Sequence, residues 1–84
     1  MAGPGSVQVF RANFFKRLAE VFYNLDWLLD NYPDQFKVEE FRIFEKLFSD
    51  LALLEPYNSL LPYASGVYSG LKAKLTIKNL DASK

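Results

Sequence analysis

The chain has 84 residues, of which 50% are hydrophobic and 24% charged, so its composition is that of one small folded domain and not of a disordered segment. It contains no cysteine and no histidine, which excludes disulfides, thiol nucleophiles and the commonest metal ligand. Ten basic residues balance ten acidic ones, so the net charge points neither to a nucleic acid nor to a membrane surface.

The two ends of the chain are distinguished from its body by composition. We interpret residues 1–6, MAGPGS, as a tag remnant or a flexible lead, residues 7–80 as a single helical domain, and residues 81–84 as a frayed tail. No run of about 18 apolar residues occurs and no secretory-signal pattern opens the chain. We therefore expect a cytoplasmic protein without a membrane span.

The first predicted helix runs from about Val9 to Asn31. Its apolar residues recur every three or four positions: Phe10, Phe14, Leu18, Val21, Leu25, Leu28, Leu29 and Tyr32. Phe15 and Phe22 widen this stripe to about 140° of the helix surface. Pro33 lacks an N–H group and restricts the residue before it, so the helix should end near Asn31.

The second predicted helix runs from about Gln35 to Leu54, with Asp34 as its N-cap and Pro56 beyond its end. Its apolar residues are assigned to one face: Phe36, Phe41, Ile43, Phe44, Leu47, Phe48, Leu51 and Leu54. Two amphipathic helices joined by a short turn predict an antiparallel hairpin.

The third segment allows two interpretations. A helix capped by Ser59 gives a shared apolar face, and we favour it through about Ala73. Residues 71–78 also alternate apolar and polar, which is typical of a strand that residues 7–9 would pair with, so helix and strand both stay open beyond Leu75. The predicted fold is all-α: a small three-helix bundle made of the hairpin and a third helix, with its C-terminal end either helical or extended.

Two carboxylates of the first helix, Asp26 and Asp30, lie four residues apart and share a face. Such a pair offers ligands for a divalent cation or an acid–base couple, but no third partner follows at helical spacing. Because negative charge near a helix C-terminus opposes the macrodipole, we expect a lysine of the third segment or of a partner nearby. We place Glu40 in the first turn of the second helix, where acidic groups suit the dipole.

The aromatic content of 17% is high for so short a chain and predicts more large rings than one small core hides. Tyr23 and Trp27 lie outside the apolar stripe of the first helix, so the third segment packs over them, they contact another chain, or they stack on a ligand. The candidate interface residues are Phe15, Phe22, Tyr23, Trp27, Tyr63 and Tyr68. Gly66 and Gly70 have GxxxG spacing, which we interpret as a tight helix crossing or a bend.

Charge is unevenly distributed along the chain. Residues 34–56 carry an acidic excess, and residues 57–84 carry four lysines against one aspartate. Lysines near a helix C-terminus suit its dipole, and this is the interpretation we favour. The alternatives are pairing between chains through the two blocks and contact with phosphates, for which Lys72, Lys74 and Lys78 are the candidates.

These observations predict a non-enzymatic helical interaction module, acting as a scaffold or adaptor. We expect no catalytic residue, metal, cofactor or small-molecule substrate. The predicted partner is another protein or a second copy of the chain, bound through an aromatic-rich apolar surface. The alternative is a small helical subunit of a nucleic-acid-associated complex that uses the C-terminal lysines.

Overall fold

A computed structural model describes residues 4–80, and their side chains from residue 13 onward. It contains three α-helices: α1 (Pro4–Asn31), α2 (Val38–Leu54) and α3 (Leu61–Ile77), with a 3₁₀ turn (Pro33–Gln35) after α1. No strand occurs within residues 4–80, which confirms the all-α three-helix bundle. Residues 1–3 and 81–84 lie outside the described part, and with them the predicted frayed tail and half of the predicted lead.

The first helix ends at Asn31 as predicted, but it begins at Pro4, five residues before the expected start. Proline is well tolerated in the first turn of a helix, where its missing N–H has no intrahelical partner to lose. Helix α1 has 28 residues against 17 in each of the others, and at 1.5 Å per residue it spans about 42 Å of the 45 Å long dimension.

Neither predicted N-cap is found. Lys37 precedes α2 without a side-chain cap, because Asp34 belongs to the 3₁₀ turn, so the assignment of Asp34 as N-cap was wrong. Before α3, Oδ1 of Asn58 accepts the N–H of Leu60 at 2.9 Å, whereas Ser59 makes no such cap. Asparagine serves here because its short side chain reaches a backbone N–H two residues on.

Helix α3 continues to Ile77, so residues 71–77 are helical and residues 7–9 belong to α1. The strand interpretation of the third segment was therefore wrong. The helix ends where Asn79 adopts a left-handed conformation (φ 64°) and the N–H of Leu80 bonds to the carbonyl of Leu75. This is a Schellman-type C-cap, in which asparagine takes the place that glycine usually fills.

Ring contacts give the direction of each helix. Phe22 contacts Phe41 and Phe48, and Phe15 contacts Phe48, so α2 runs antiparallel to α1 as predicted. Tyr68 also contacts Phe22, and Lys74 reaches the C-terminal half of α1, so α3 runs parallel to α1. The chain therefore passes up, down and up, with α3 against one side of the hairpin.

The core is apolar throughout, and no polar side chain is buried among the described residues. Its largest fully buried members are Phe15, Phe22, Phe41, Leu29, Leu71 and Leu75. Ring centroids lie 5.3–6.1 Å apart in the cluster around Phe22 and Tyr68, the range in which aromatic pairs attract beyond their buried area.

Candidate interaction surface

Tyr23 and Trp27 lie on the face of α1 that points away from both neighbouring helices. Their side chains are 64% and 52% exposed. Helix α3 packs instead on the face of α1 that carries the buried Phe22, so it does not cover the two rings. The interpretation that the third segment packs over these two rings was therefore wrong.

A third ring, that of Tyr32, extends this surface at the end of α1. The centroids of Trp27 and Tyr32 are 5.7 Å apart with an interplanar angle of 52°, and Tyr32 is itself about half exposed. The prediction that Tyr32 belongs to the apolar stripe of the first helix was wrong. Because Tyr32 follows the last residue of α1, its ring leaves the helical face and turns toward Trp27.

An open groove of about 480 Å³ adjoins the exposed tryptophan. It is lined by Val21, Asn24, Leu25, Trp27 and Leu28. Four of these residues, those other than Trp27, follow the i, i+3, i+4, i+7 pattern and therefore form one side of α1. We call Tyr23, Trp27, Tyr32 and this groove the aromatic surface of α1.

A second exposed apolar region follows α2. Ile43 is 65% and Leu54 73% exposed, and Leu47 is partly exposed between them. We call these three residues the α2 stripe. The prediction that they share one face with Phe41 and Phe48 was wrong. Ile43 is two residues from the buried Phe41, and a helix turns about 200° over two residues, so the two side chains point in nearly opposite directions. The position of Ile43 on the helical wheel, nearly opposite Phe41, was the sequence signal that would have predicted its exposure.

Phe15 and Phe22, two of the candidate interface residues, are fully buried in the core. The buried face of α1 centres on them because α2 and α3 approach from the side on which these rings lie, and not from that of Phe14 and Val21. As placed, their rings offer no surface to a partner. Tyr63 is exposed on α3, as an interface residue would be.

Tyr68, the remaining interface candidate, is half-buried and belongs to a polar cluster between α2 and α3. Its hydroxyl donates a hydrogen bond to Oε2 of Glu45 at 2.5 Å, and the ammonium of Lys72 donates to the same oxygen at 3.1 Å. Arg42 donates to Oε1 of Glu45, also at 3.1 Å. This carboxylate therefore joins three donors drawn from two helices.

The cluster moves the pKa values of its members in the directions that its bonds require. Burial acts to raise the pKa of Glu45, but hydrogen bonds from Tyr68, Lys72 and Arg42 outweigh it and hold the pKa below its ordinary value. Burial and the bond to Glu45 raise the pKa of Tyr68, and the bond to Glu45 raises that of Lys72. All three groups thus keep their usual charge at neutral pH.

Lys74 meets both carboxylates that the sequence singled out on α1. Its ammonium donates to Asp26 and, at 2.7 Å, to Oδ2 of Asp30. These bonds, that to Asp26 first, raise the pKa of Lys74. The expected lysine of the third segment is therefore confirmed, and it occupies the positions at which a cation would have bound.

The three lysines proposed as phosphate contacts differ in their surroundings. Lys72 and Lys74 are held by carboxylates of the same chain, whereas Lys78 is exposed. The pair of Lys72 with Glu45 joins the acidic and basic blocks of the sequence within one chain, where α3 lies on the hairpin. Lys74 pairs instead with two carboxylates of α1, which lie outside the acidic block.

The glycines of α3 do not mark a tight crossing. Gly66 and Gly70 are exposed, and a Cβ atom built on either would find no atom within 4 Å beyond its immediate neighbours. The expected close helix approach was wrong within this chain, because both glycines lie on the side of α3 turned away from α1.

Comparison with known proteins gives no relative: no protein family, curated sequence or solved structure matches the chain. Within residues 4–80, no helix is long and apolar enough to cross a membrane. The described residues also contain no group of three or more potential metal ligands.

Proposed function

We propose that the protein is a non-enzymatic helical module that acts by binding another protein chain through the aromatic surface of α1. The observation that carries this proposal is the exposure of Trp27, the only tryptophan of the chain, on a helix face that α2 and α3 leave open. Tryptophan and tyrosine are enriched among residues that dominate binding energy at interfaces.

The composition of this surface supports binding to protein. The ring of Trp27 lines an apolar groove whose polar member is Asn24, and the rings of Tyr23 and Tyr32 are exposed on the same end of the helix. Apolar area removed from water contributes roughly 25 cal/mol per Å². An apolar groove beside large rigid side chains matches a helix that buries one apolar face.

The distribution of polar groups supports a role without catalysis. The chain has neither histidine nor cysteine, and Asp26, Asp30 and Glu45 are paired with side chains of the same chain. Acid–base catalysis needs a group whose proton is available to a substrate. The alternative, a nucleic-acid-associated subunit, loses its main support because Lys72 and Lys74 are occupied by carboxylates.

The test replaces the exposed tryptophan and follows both association and folding. We expect Trp27→Ala to weaken association by on the order of 2 kcal/mol, as for an interface anchor, while the circular dichroism spectrum stays helical. The measurement is mass by light scattering over a concentration series, together with capture of partners on immobilised protein. Tyr57→Ala is the matched control, because Tyr57 is 97% exposed in the turn between α2 and α3.

Two results would contradict the proposal. The first is a wild-type protein that stays monomeric at the highest concentration and captures no protein that the Trp27→Ala variant fails to capture. The second is equal weakening by Trp27→Ala and Tyr57→Ala, which would indicate unspecific contact between exposed rings.

A further inference from the structure

We propose that the α2 stripe is a self-association surface, on which α2 of a second copy packs antiparallel about a two-fold axis at Ile43. This inference rests on the proposed function, that the protein acts by association, and it names one partner as a second copy of the chain. It is carried by the order of charges along the exposed side of α2.

The stripe lies on the side of α2 that the rest of the chain leaves open. Helix α3 is bound on the other side, through Glu45, and the buried Phe41 and Phe48 turn toward α1. Ile43, Leu47 and Leu54 are spaced four and seven apart and share one face of the helix. Such a face on one helix fits a single helix laid along it.

Exposed charges flank Ile43 in an order whose signs are close to antisymmetric about it. Lys37, Glu39 and Glu40 lie six, four and three residues before Ile43, and Lys46 and Asp50 lie three and seven residues after it. The signs therefore read plus, minus, minus, Ile43, plus, minus along the chain.

A two-fold axis converts this order into attraction. In an antiparallel pair, a residue three positions before the axis faces the residue three positions after it on the partner. Glu40 then lies level with the partner's Lys46, and Lys37 lies level with the partner's Ser49, one residue from the partner's Asp50. Symmetry repeats each pair, which gives four attractive contacts around a central contact of Ile43 with its own copy.

Two other arrangements of the same two helices bring like charges together. A parallel pair places Lys46 against the partner's Lys46 and Glu40 against the partner's Glu40. An antiparallel pair whose axis lies between Ile43 and Leu47 places Glu40 against the partner's Asp50. Like charges in contact oppose association, so the charge order favours the register centred on Ile43 over these two.

The pair formed within one chain does not compete strongly with these contacts. Lys46 and Asp50 are 3.2 Å apart, but both side chains are mostly exposed, and such pairs contribute little to stability. Both groups are therefore free to change partners when a second copy approaches.

The first experiment uses the absence of cysteine from the chain. In Ile43→Cys the two introduced thiols lie at the axis, within the Cα separation of about 7 Å that a disulfide tolerates. Mild oxidation should give a covalent dimer. Leu53→Cys is the matched control: Leu53 is equally accessible but ten residues from the axis, so its two copies would be about 30 Å apart and should not cross-link.

The second experiment exchanges charges. Lys46→Glu or Glu40→Lys should each raise the dimer dissociation constant by about tenfold, because both symmetric contacts become repulsive. The combined Glu40→Lys/Lys46→Glu variant should bring it back to near the wild-type value. All the changed side chains are exposed, so the fold is expected to persist, and circular dichroism checks it.

The outcomes separate this inference from the proposed function. If Ile43→Cys cross-links no better than Leu53→Cys, or if the combined charge variant fails to restore dimerisation, the inference is overturned. A Trp27-dependent association that persists in that case leaves the proposed function standing. If the wild-type chain neither self-associates nor captures a partner, both are overturned.

Discussion

Glu45 accepts hydrogen bonds from Tyr68, Lys72 and Arg42, and it thereby ties α2 to α3 through one side chain. Its lowered pKa means that the folded chain favours the ionised form. The stability that Glu45 contributes is therefore present above its unfolded pKa, near 4.5, and is lost as the pH falls through the lower folded value.

We expect Glu45→Gln to lower the free energy of unfolding by about 1–2 kcal/mol at pH 7, since bonds to a charged acceptor are stronger than bonds to an amide. Below the folded pKa of Glu45 the two proteins should become nearly equal in stability. Urea denaturation of both proteins between pH 7 and pH 3 measures this. Curves that stay parallel over the whole range would contradict it.

Replacing the exposed glycines of α3 is expected to raise the free energy of unfolding, whereas Glu45→Gln lowers it. Gly66→Ala and Gly70→Ala should each raise the free energy of unfolding by about 1 kcal/mol, because alanine favours a helix and its Cβ meets no other atom here. Ala73→Gly, exposed on the same helix, should lower it by a similar amount. A loss of stability in Gly66→Ala would show that something packs against that glycine.

The surroundings of a side chain could be predicted from the sequence where they depend on local electrostatics. They could not be predicted where they depend on the direction from which another helix packs. The misfit of Asp26 and Asp30 with the helix dipole correctly predicted a nearby lysine. Phe15 and Phe22 were predicted at the edge of the apolar stripe, whereas they are fully buried. The spacing of apolar residues in α1 alone does not give the direction from which α2 and α3 approach.

Helix ends illustrate the same limit at the scale of the element. Pro33 and Pro56 correctly predicted where α1 and α2 end, since proline acts through its own backbone. The caps depended on turn geometry instead: an unexpected 3₁₀ turn separates Asp34 from α2, and the side chain that bonds the backbone before α3 is that of Asn58 and not that of Ser59.

The bond of Asn58 in the turn before α3 can be tested by comparing two short polar residues. Asn58→Ala should lower the free energy of unfolding by about 1 kcal/mol, because it leaves the N–H of Leu60 without its side-chain acceptor. Asp34→Ala, which removes no cap of α2, should change stability by less than about 0.5 kcal/mol. Thermal melts of both variants provide the measurement, and a larger loss for Asp34→Ala would reverse the assignment.

At the scale of the whole molecule, the sequence predicted three helices and a hairpin, but not the side of the hairpin on which α3 lies. That choice leaves Tyr23, Trp27 and the α2 stripe exposed. It is associated with contacts between residues far apart in the chain, such as those of Glu45 with Tyr68 and Lys72, which no local periodicity reveals. The exposed aromatic pair was identified from sequence because it deviates from the pattern of its own helix.

The last prediction concerns the contact that fixes the C-terminal half of α3 on α1. Lys74 lies 44 and 48 residues from Asp30 and Asp26, so its ion pairs join the C-terminal part of α3 to the C-terminal part of α1. Because these side chains are partly exposed, we expect Lys74→Met to lower the free energy of unfolding by only roughly 0.5–1 kcal/mol. In an Asp26→Asn/Asp30→Asn background the same change should cost less than about 0.3 kcal/mol, since its partners are already neutral. The solution mass should be identical in all four proteins, because the pairs lie within one chain. A Lys74→Met variant that melts like the wild type but loses mass would instead place these pairs between chains.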